Sequence, residues 1–288
     1  MSQAAGGYRE RYFRAQDCRR LYFRDYGDPL APTVPVVCLS GLTRNAKDFH
    51  ILASRLAATR RVVSLDYRGR GRSEHDPDWR NYDAKVILDD VRDLLAAANL
   101  HHVVVCGVSF GGILAMALGV AAPTALAGVI LDDVGPDLGA AGLERILDYI
   151  SRDRPQPDWE TAVAAMKQTF PTLSLATEAQ WRSFTEASYV PGDDGQLHFD
   201  FDPALARPLR EGRGQQDLWP LFGALRPVPV LLVRGGASDV LSAETVNKMA
   251  AVKPDLVHLT IAGVGHVPSL NEPESKSAID DFLARIDG

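Results

Sequence analysis

Cysteine is scarce in this chain of 288 residues: Cys18, Cys38 and Cys106 are the whole set, and the number is odd. A disulfide framework is therefore not expected. Cys38 and Cys106 sit inside apolar runs where cysteine behaves as a small hydrophobe, so a reduced, cytoplasmic setting is the expectation. No apolar stretch reaches the length of a membrane span, and the leading Met-Ser-Gln-Ala-Ala-Gly-Gly has no basic segment followed by an apolar one. Neither a membrane anchor nor secretion is expected. A basic surplus is also lacking, since 31 Lys and Arg face 37 Asp and Glu for a net charge of −6. That excludes nucleic acid as an expected partner, and the cluster Arg68, Arg70, Arg72 is too small to reverse it. There is no metal-ligand spacing, no Gly-x-x-x-x-Gly-Lys loop and no internal repeat, and Gly69-Arg70-Gly71 is too incomplete for a dinucleotide fingerprint. Neither a metal nor a cofactor is expected.

Apolar residues make up 46% of the chain, enough for one large α/β domain or one domain carrying an insertion. Residues 8–15 and 19–26 alternate aromatic and charged residues and read as an entry hairpin. Apolar strand-like runs then alternate with helical patterns. The strands are read at Val34–Leu39, Arg61–Leu65, Val103–Cys106 and Ala127–Leu131, and the helices at Asp48–Ala57, Asp83–Asn99 and Ile113–Val120. This order predicts a mostly parallel sheet with helices on both faces. From 137 to 215 the pattern is helical, with Trp159, Phe170, Trp181, Phe184 and Tyr189 but no strand-like run; Pro191–Gly195 and the residues to Phe201 read as a loop. The sheet resumes at Val228–Val233, followed by a helix from Ala243 to Val252, a strand from Leu256 to Ile261 and a helix from Pro273. The expected division is a core of 1–135 and 216–288 with an inserted helical cap, 136–215, over the carboxyl ends of the strands.

The Val103 strand runs into Gly107-Val108-Ser109-Phe110-Gly111, with an apolar helical segment behind it. A serine hydroxyl is a poor nucleophile unless it is held exposed beside a base, and a sharp turn between strand and helix does the holding. His266, in a Gly-rich loop just after a strand, fits the base. Asp239, in the loop after the preceding strand, fits the residue that orients the imidazole.

On these residues the chain resembles the α/β-hydrolase superfamily. The resemblance runs from the strand ending in Ser40-Gly41, through the Asp66–Ser73 turn, the serine elbow and the insertion, to Gly-Gly-Ala-Ser-Asp239 and Gly-Val-Gly-His266. It implies an α/β-hydrolase fold of about eight strands with Ser, acid and His in that chain order. It also implies an oxyanion hole from the backbone N–H groups of Leu42 and Phe110. Ser40-Gly41 replaces the superfamily's common His-Gly pair, which removes a side chain that often braces that loop. Some members take their acid from the position after the strand following the nucleophile, so Asp132 and Asp133 stand as alternatives to the favoured Asp239. Arg44, Asn45, Trp159, Trp181 and Tyr189 are candidate substrate contacts, against a role in loop capping for the first two and in cap packing for the aromatics.

A serine at the elbow points away from the aspartate-dependent dehalogenases and epoxide hydrolases of the superfamily. The expected activity is hydrolysis of a small or medium, partly apolar carboxylic ester through an acyl-enzyme. Lactone or C–C bond hydrolysis on the same fold, and a non-catalytic small-ligand receptor or carrier, remain alternatives. The expected partner is a small-molecule ester or lactone, and oligomeric state is left open.

Overall fold

The computed structural model describes residues 7–211 and 217–288. Residues 1–6, which hold most of the amino-terminal stretch read above, and 212–216, which hold the expected end of the insertion, lie outside the described residues. The alternating runs at the start pair as an antiparallel hairpin, β1 (Tyr8–Arg14) with β2 (Arg20–Tyr26), in register from Tyr8↔Tyr26 to Arg14↔Arg20. Next come β3 (Val36–Leu39), α1 (His50–Leu56), β4 (Val62–Leu65), α2 (Ala84–Ala97), β5 (Val103–Val108), α3 (Phe110–Ala121) and β6 (Leu126–Asp132). The intervening segment holds α4 (Ala140–Ile150), α5 (Trp159–Thr169), α6 (Glu178–Ser188), β7 (Tyr189–Pro191), β8 (Leu197–Phe199) and α7 (Ala206–Glu211). The chain closes with α8 (Trp219–Gly223), β9 (Val230–Gly235), α9 (Ala243–Val252), β10 (Val257–Ile261) and α10 (Pro273–Asp287).

Eight strands form one sheet in the order β1-β2-β4-β3-β5-β6-β9-β10, parallel from β4 onward. The central strands are buried on both faces because helices cover both, which is why they read as continuous apolar runs. One face, with Val37, Leu39, Val105 and Leu131, packs on α2, α3, α8 and α9. The other, with Val36, Cys38, Val104, Cys106 and Ile130, packs on α1 and α10. β3 connects to β4 on one side of the sheet while β5 leads to β6 on the other, so the crossovers diverge at the carboxyl ends of β3 and β5. That divergence leaves a crevice, the usual ligand position in open α/β sheets.

The intervening segment buries its own cluster, including Tyr149, Met166, Trp181, Tyr189, Leu197, Phe199 and Phe201. Its β7–β8 hairpin stands where the sequence reads as a loop. Three-residue strands are too short for a period of two to register. The hairpin is set by a turn with Gly195 at φ +78° and by the Gly192 N–H donating to the Gln196 carbonyl at 2.7 Å.

Candidate active site

β5 delivers Ser109 into the crevice at φ +51°, a left-handed conformation that costs a serine energy. The flanking glycines make the turn possible by close approach. A Cβ on Gly107 would lie 2.4 Å from the Gly111 carbonyl oxygen, and one on Gly111 would lie 2.0 Å from that of Leu39. The Ser109 N–H donates to the Asp132 carbonyl at 2.9 Å, which fixes the elbow against β6.

The Ser109 hydroxyl donates to Nε2 of His266 at 2.9 Å, and Nδ1 of His266 donates to Asp133 Oδ2 at 2.8 Å. Asp133 is fully buried and His266 nearly so. Asp133 also sits at positive φ, and its N–H donates to the Val233 carbonyl while its Oδ1 accepts from the Gly235 N–H, each at 2.8 Å. β9 therefore holds this carboxylate and leaves Oδ2 for the imidazole. The preference for Asp239 as the partner of His266 is corrected here. Asp239 is forked onto Arg145 of α4 by two bonds of 2.8 Å, which hold its carboxyl below the usual range. Asp132, the other alternative, stays away from the imidazole. Its side chain is fully buried with neither oxygen hydrogen-bonded among the described residues, and burial, with the neighbouring Asp133, pushes its carboxyl well up.

Leu42 lies on the loop after β3, beside the nucleophile: a Cβ on neighbouring Gly41 would come 3.8 Å from Ser109 Cβ. Phe110 opens α3, where the first N–H groups lack intrahelical partners. The Leu42 loop has braces that the sequence did not suggest. Ser40 Oγ donates to the Arg44 carbonyl at 2.9 Å, so Ser40 supplies a brace although it is not histidine. Arg70, fully buried, donates to the Leu42 carbonyl at 2.8 Å, and burial lowers its pKa to about 10. Asp66 accepts from the Ala46 and Arg72 N–H groups at 2.6 and 2.9 Å, and burial raises its pKa to about 6. The signal for both residues lay in the 66–73 turn, which sequence patterning marks only as a turn.

Ser109 and His266 open on a cavity of about 130 Å³ roofed by Ile146, Tyr149, Phe170, Leu173 and Phe184. The expected aromatic contacts Trp159, Trp181 and Tyr189 are absent from its wall. Trp181 and Tyr189 are buried in the segment's own cluster, and Trp159 packs at its edge under Arg182. Arg44 does line this cavity, with its guanidinium 4.1 Å from the Phe184 ring centroid and bonded to Asp48 and to the Ser188 hydroxyl. Asn45 is a fully buried tie. It caps the short helix before α1 and donates to the Ala187 carbonyl at 2.8 Å and to Asp200 at 3.1 Å. The His266 loop is pinned to the same segment, because the Gly265 N–H donates to the Thr172 carbonyl at 2.8 Å.

The sequence model of the Alpha/beta hydrolase family matches residues 36–276, most of the chain. The chain belongs to that family. A 3-hydroxybutyrate-oligomer hydrolase of Cupriavidus necator is 35% identical to this hydrolase-family chain, covering 92% of each. A 2-(acetamidomethylene)succinate hydrolase of Mesorhizobium japonicum is 26% identical, covering 84% of this chain and 85% of its own. Among solved structures, an alpha/beta hydrolase from Novosphingobium aromaticivorans superposes with a TM-score of 0.91 at 39% identity, over 99% of this chain and all of that one. All three of these relatives are named as hydrolases. None of this chain's helices, among the described residues, is long and apolar enough to cross a membrane.

Proposed function

We propose that the protein is a serine hydrolase of carboxylic esters, acting through Ser109, His266 and Asp133, with esters of short hydroxy acids as the substrate class. The observation that carries the reading is the hydrogen-bonded chain from Ser109 through His266 to buried Asp133 at the mouth of a cavity. The likeness to a 3-hydroxybutyrate-oligomer hydrolase supports the substrate class.

Ser109 Oγ attacks the ester carbonyl as its proton passes to His266 Nε2. Asp133 holds the imidazole in the required tautomer and stabilises the imidazolium. The N–H groups of Leu42 and Phe110 receive the charge on the carbonyl oxygen. His266 then returns the proton to the departing alcohol oxygen, and water enters by the same route in reverse to release the acid and free Ser109. The segment 136–215 acts as a cap that keeps bulk water from the acyl-enzyme.

Turnover of p-nitrophenyl butyrate and of 3-hydroxybutyrate dimer by wild type and Ser109→Ala tests the reading. Loss of about 10⁴-fold or more in kcat/KM is expected in the variant. Equal rates would overturn it. A lactonase or C–C hydrolase would share the Ser109 dependence but prefer its own substrate, and a carrier would bind without turnover.

A further inference from the structure

A second cavity, of about 490 Å³, adjoins the one that holds Ser109. The two share Gly41, Asp48, Val108, Leu173, Phe184 and Val267 as wall residues. Gly41 precedes the Leu42 N–H, and Val108 precedes Ser109. The shared wall therefore runs beside the atoms that would meet an ester's carbonyl oxygen and carbon, and a chain attached to that carbon can pass along it.

Most of the larger cavity's wall is apolar, with Phe49, Leu52, Leu175 and Leu270 among its residues. Three of its polar side chains carry buried atoms with no hydrogen-bond partner among the described residues: Arg24 at Nε, on β2 four strands away from β6 in the sheet, and Asp132 and Asn271. Asp132 is paired with Val108 across β5 and β6 and lines the cavity, fully buried, with both carboxyl oxygens unpartnered among the described residues. Asn271 lines it from the loop after His266. Its Nδ2 donates to the Ser269 carbonyl at 3.0 Å, but its buried Oδ1 has no partner among the described residues. Buried polar groups are almost always satisfied, so Asp132 and Asn271 in this wall call for a ligand that satisfies them. Burial and the neighbouring Asp133 favour the protonated Asp132 carboxyl, which presents one O–H donor and one carbonyl acceptor. Asn271 adds an acceptor. Lys47, at the rim, is already paired with Asp200 at 2.6 Å. Asp132 and Asn271 together thus suit a group that both donates and accepts, as a hydroxyl does.

Building on the esterase reading above, we propose that this cavity is the acyl subsite. There Asp132 and Asn271 hydrogen-bond a hydroxyl on the acyl chain and select hydroxyacyl esters over plain alkanoyl esters.

Two substrates with the same scissile ester test this: methyl 3-(3-hydroxybutyryloxy)butyrate and methyl 3-(butyryloxy)butyrate, which lacks the terminal hydroxyl. Wild type should prefer the hydroxylated ester by about tenfold or more in kcat/KM, the worth of one well-made hydrogen bond. Asp132→Leu should abolish the preference, and Asp132→Asn, which still donates and accepts, should keep most of it. An unchanged preference in a folded Asp132→Leu protein overturns the subsite, as does the absence of any preference in wild type. The same ester pair is titrated calorimetrically against Ser109→Ala with and without Asp132→Leu. A hydroxyl preference in binding that Asp132→Leu removes supports the subsite even if wild type turns over no ester, in which case only the esterase reading fails. Equal binding of the two esters overturns the subsite.

Discussion

The loop after β6 and the loop after β9 both offer an aspartate at the carboxyl edge of the sheet, and they use it differently. Asp133 follows β6 directly, is fully buried, and is held by two backbone contacts to β9 so that one oxygen faces His266. Asp239 lies four residues beyond β9 with more than a third of its side chain exposed, and its carboxylate is forked onto Arg145. The same loop packs closely on α4, for the Gly139 N–H donates to the Val240 carbonyl at 2.8 Å, and a Cβ on Gly139 would lie 2.2 Å from the Asp239 carbonyl oxygen. One loop fixes the imidazole and the other fixes a helix that brings Ile146 and Tyr149 into the cavity roof. An aspartate after a strand is therefore not an acid by position alone; what faces its carboxylate decides.

The sharpest way to break this contrast is to remove each carboxylate. Asp133→Ala should lower kcat/KM for p-nitrophenyl butyrate by about 10³ to 10⁴-fold, because the imidazole loses the group that sets its tautomer and stabilises its charge. If Asp239→Ala produces that loss and Asp133→Ala does not, the assignment of the two loops is reversed.

The next effect separates Asp133 from its own neighbour. Asp132 has a carboxyl pushed well up by burial, so the folded state holds its proton more tightly than the unfolded state does. Its contribution to stability is fully present below the ordinary carboxylate range and is lost as pH rises toward the raised value. Unfolding free energies from urea titrations at several pH values should show wild type falling relative to Asp132→Asn as pH rises above about 4. The limiting slope is about 1.4 kcal/mol per pH unit. A difference that does not vary with pH would show that Asp132 titrates alike in both states.

The smallest effects belong to the β9 loop. Asp239→Ala and Arg145→Ala should each cost roughly 1 kcal/mol or less in stability, since the pair is partly exposed. Each should raise KM a few-fold by loosening α4, with little change in kcat, and the double variant should match the singles because one contact is lost in all three. Additive losses would separate the roles of the two residues.

The alternating architecture is legible in the sequence because its signals are local. Val103–Cys106 and Ile113–Val120 read as strand and helix from β-branched and alanine-containing runs, inside the observed Val103–Val108 and Phe110–Ala121, and the glycines around Ser109 are required by contacts within a few residues and with β3. The cluster formed by the intervening segment was less legible. Trp181 and Tyr189 look like ligand contacts in an aromatic-rich stretch, yet they face their own cluster, while Phe170 and Phe184 of the same stretch reach the cavity. Nothing within a helical turn distinguishes an aromatic side chain that packs inward from one that faces the core.

The sequence by itself determined the fold family, the elbow that exposes Ser109 and the glycine-flanked loop that carries His266, because each depends on backbone conformations that only certain residues adopt at fixed spacing. The choice between Asp133 and Asp239, the bracing of the Leu42 loop by Arg70 and the burial of Asp132 without a partner among the described residues were decided by tertiary structure alone. Each is set by a residue far along the chain, as Arg145 is for Asp239 and His266 is for Asp133. Electrostatic and hydrogen-bonding partners at such separations exist only once the sheet and the segment above it have closed on each other.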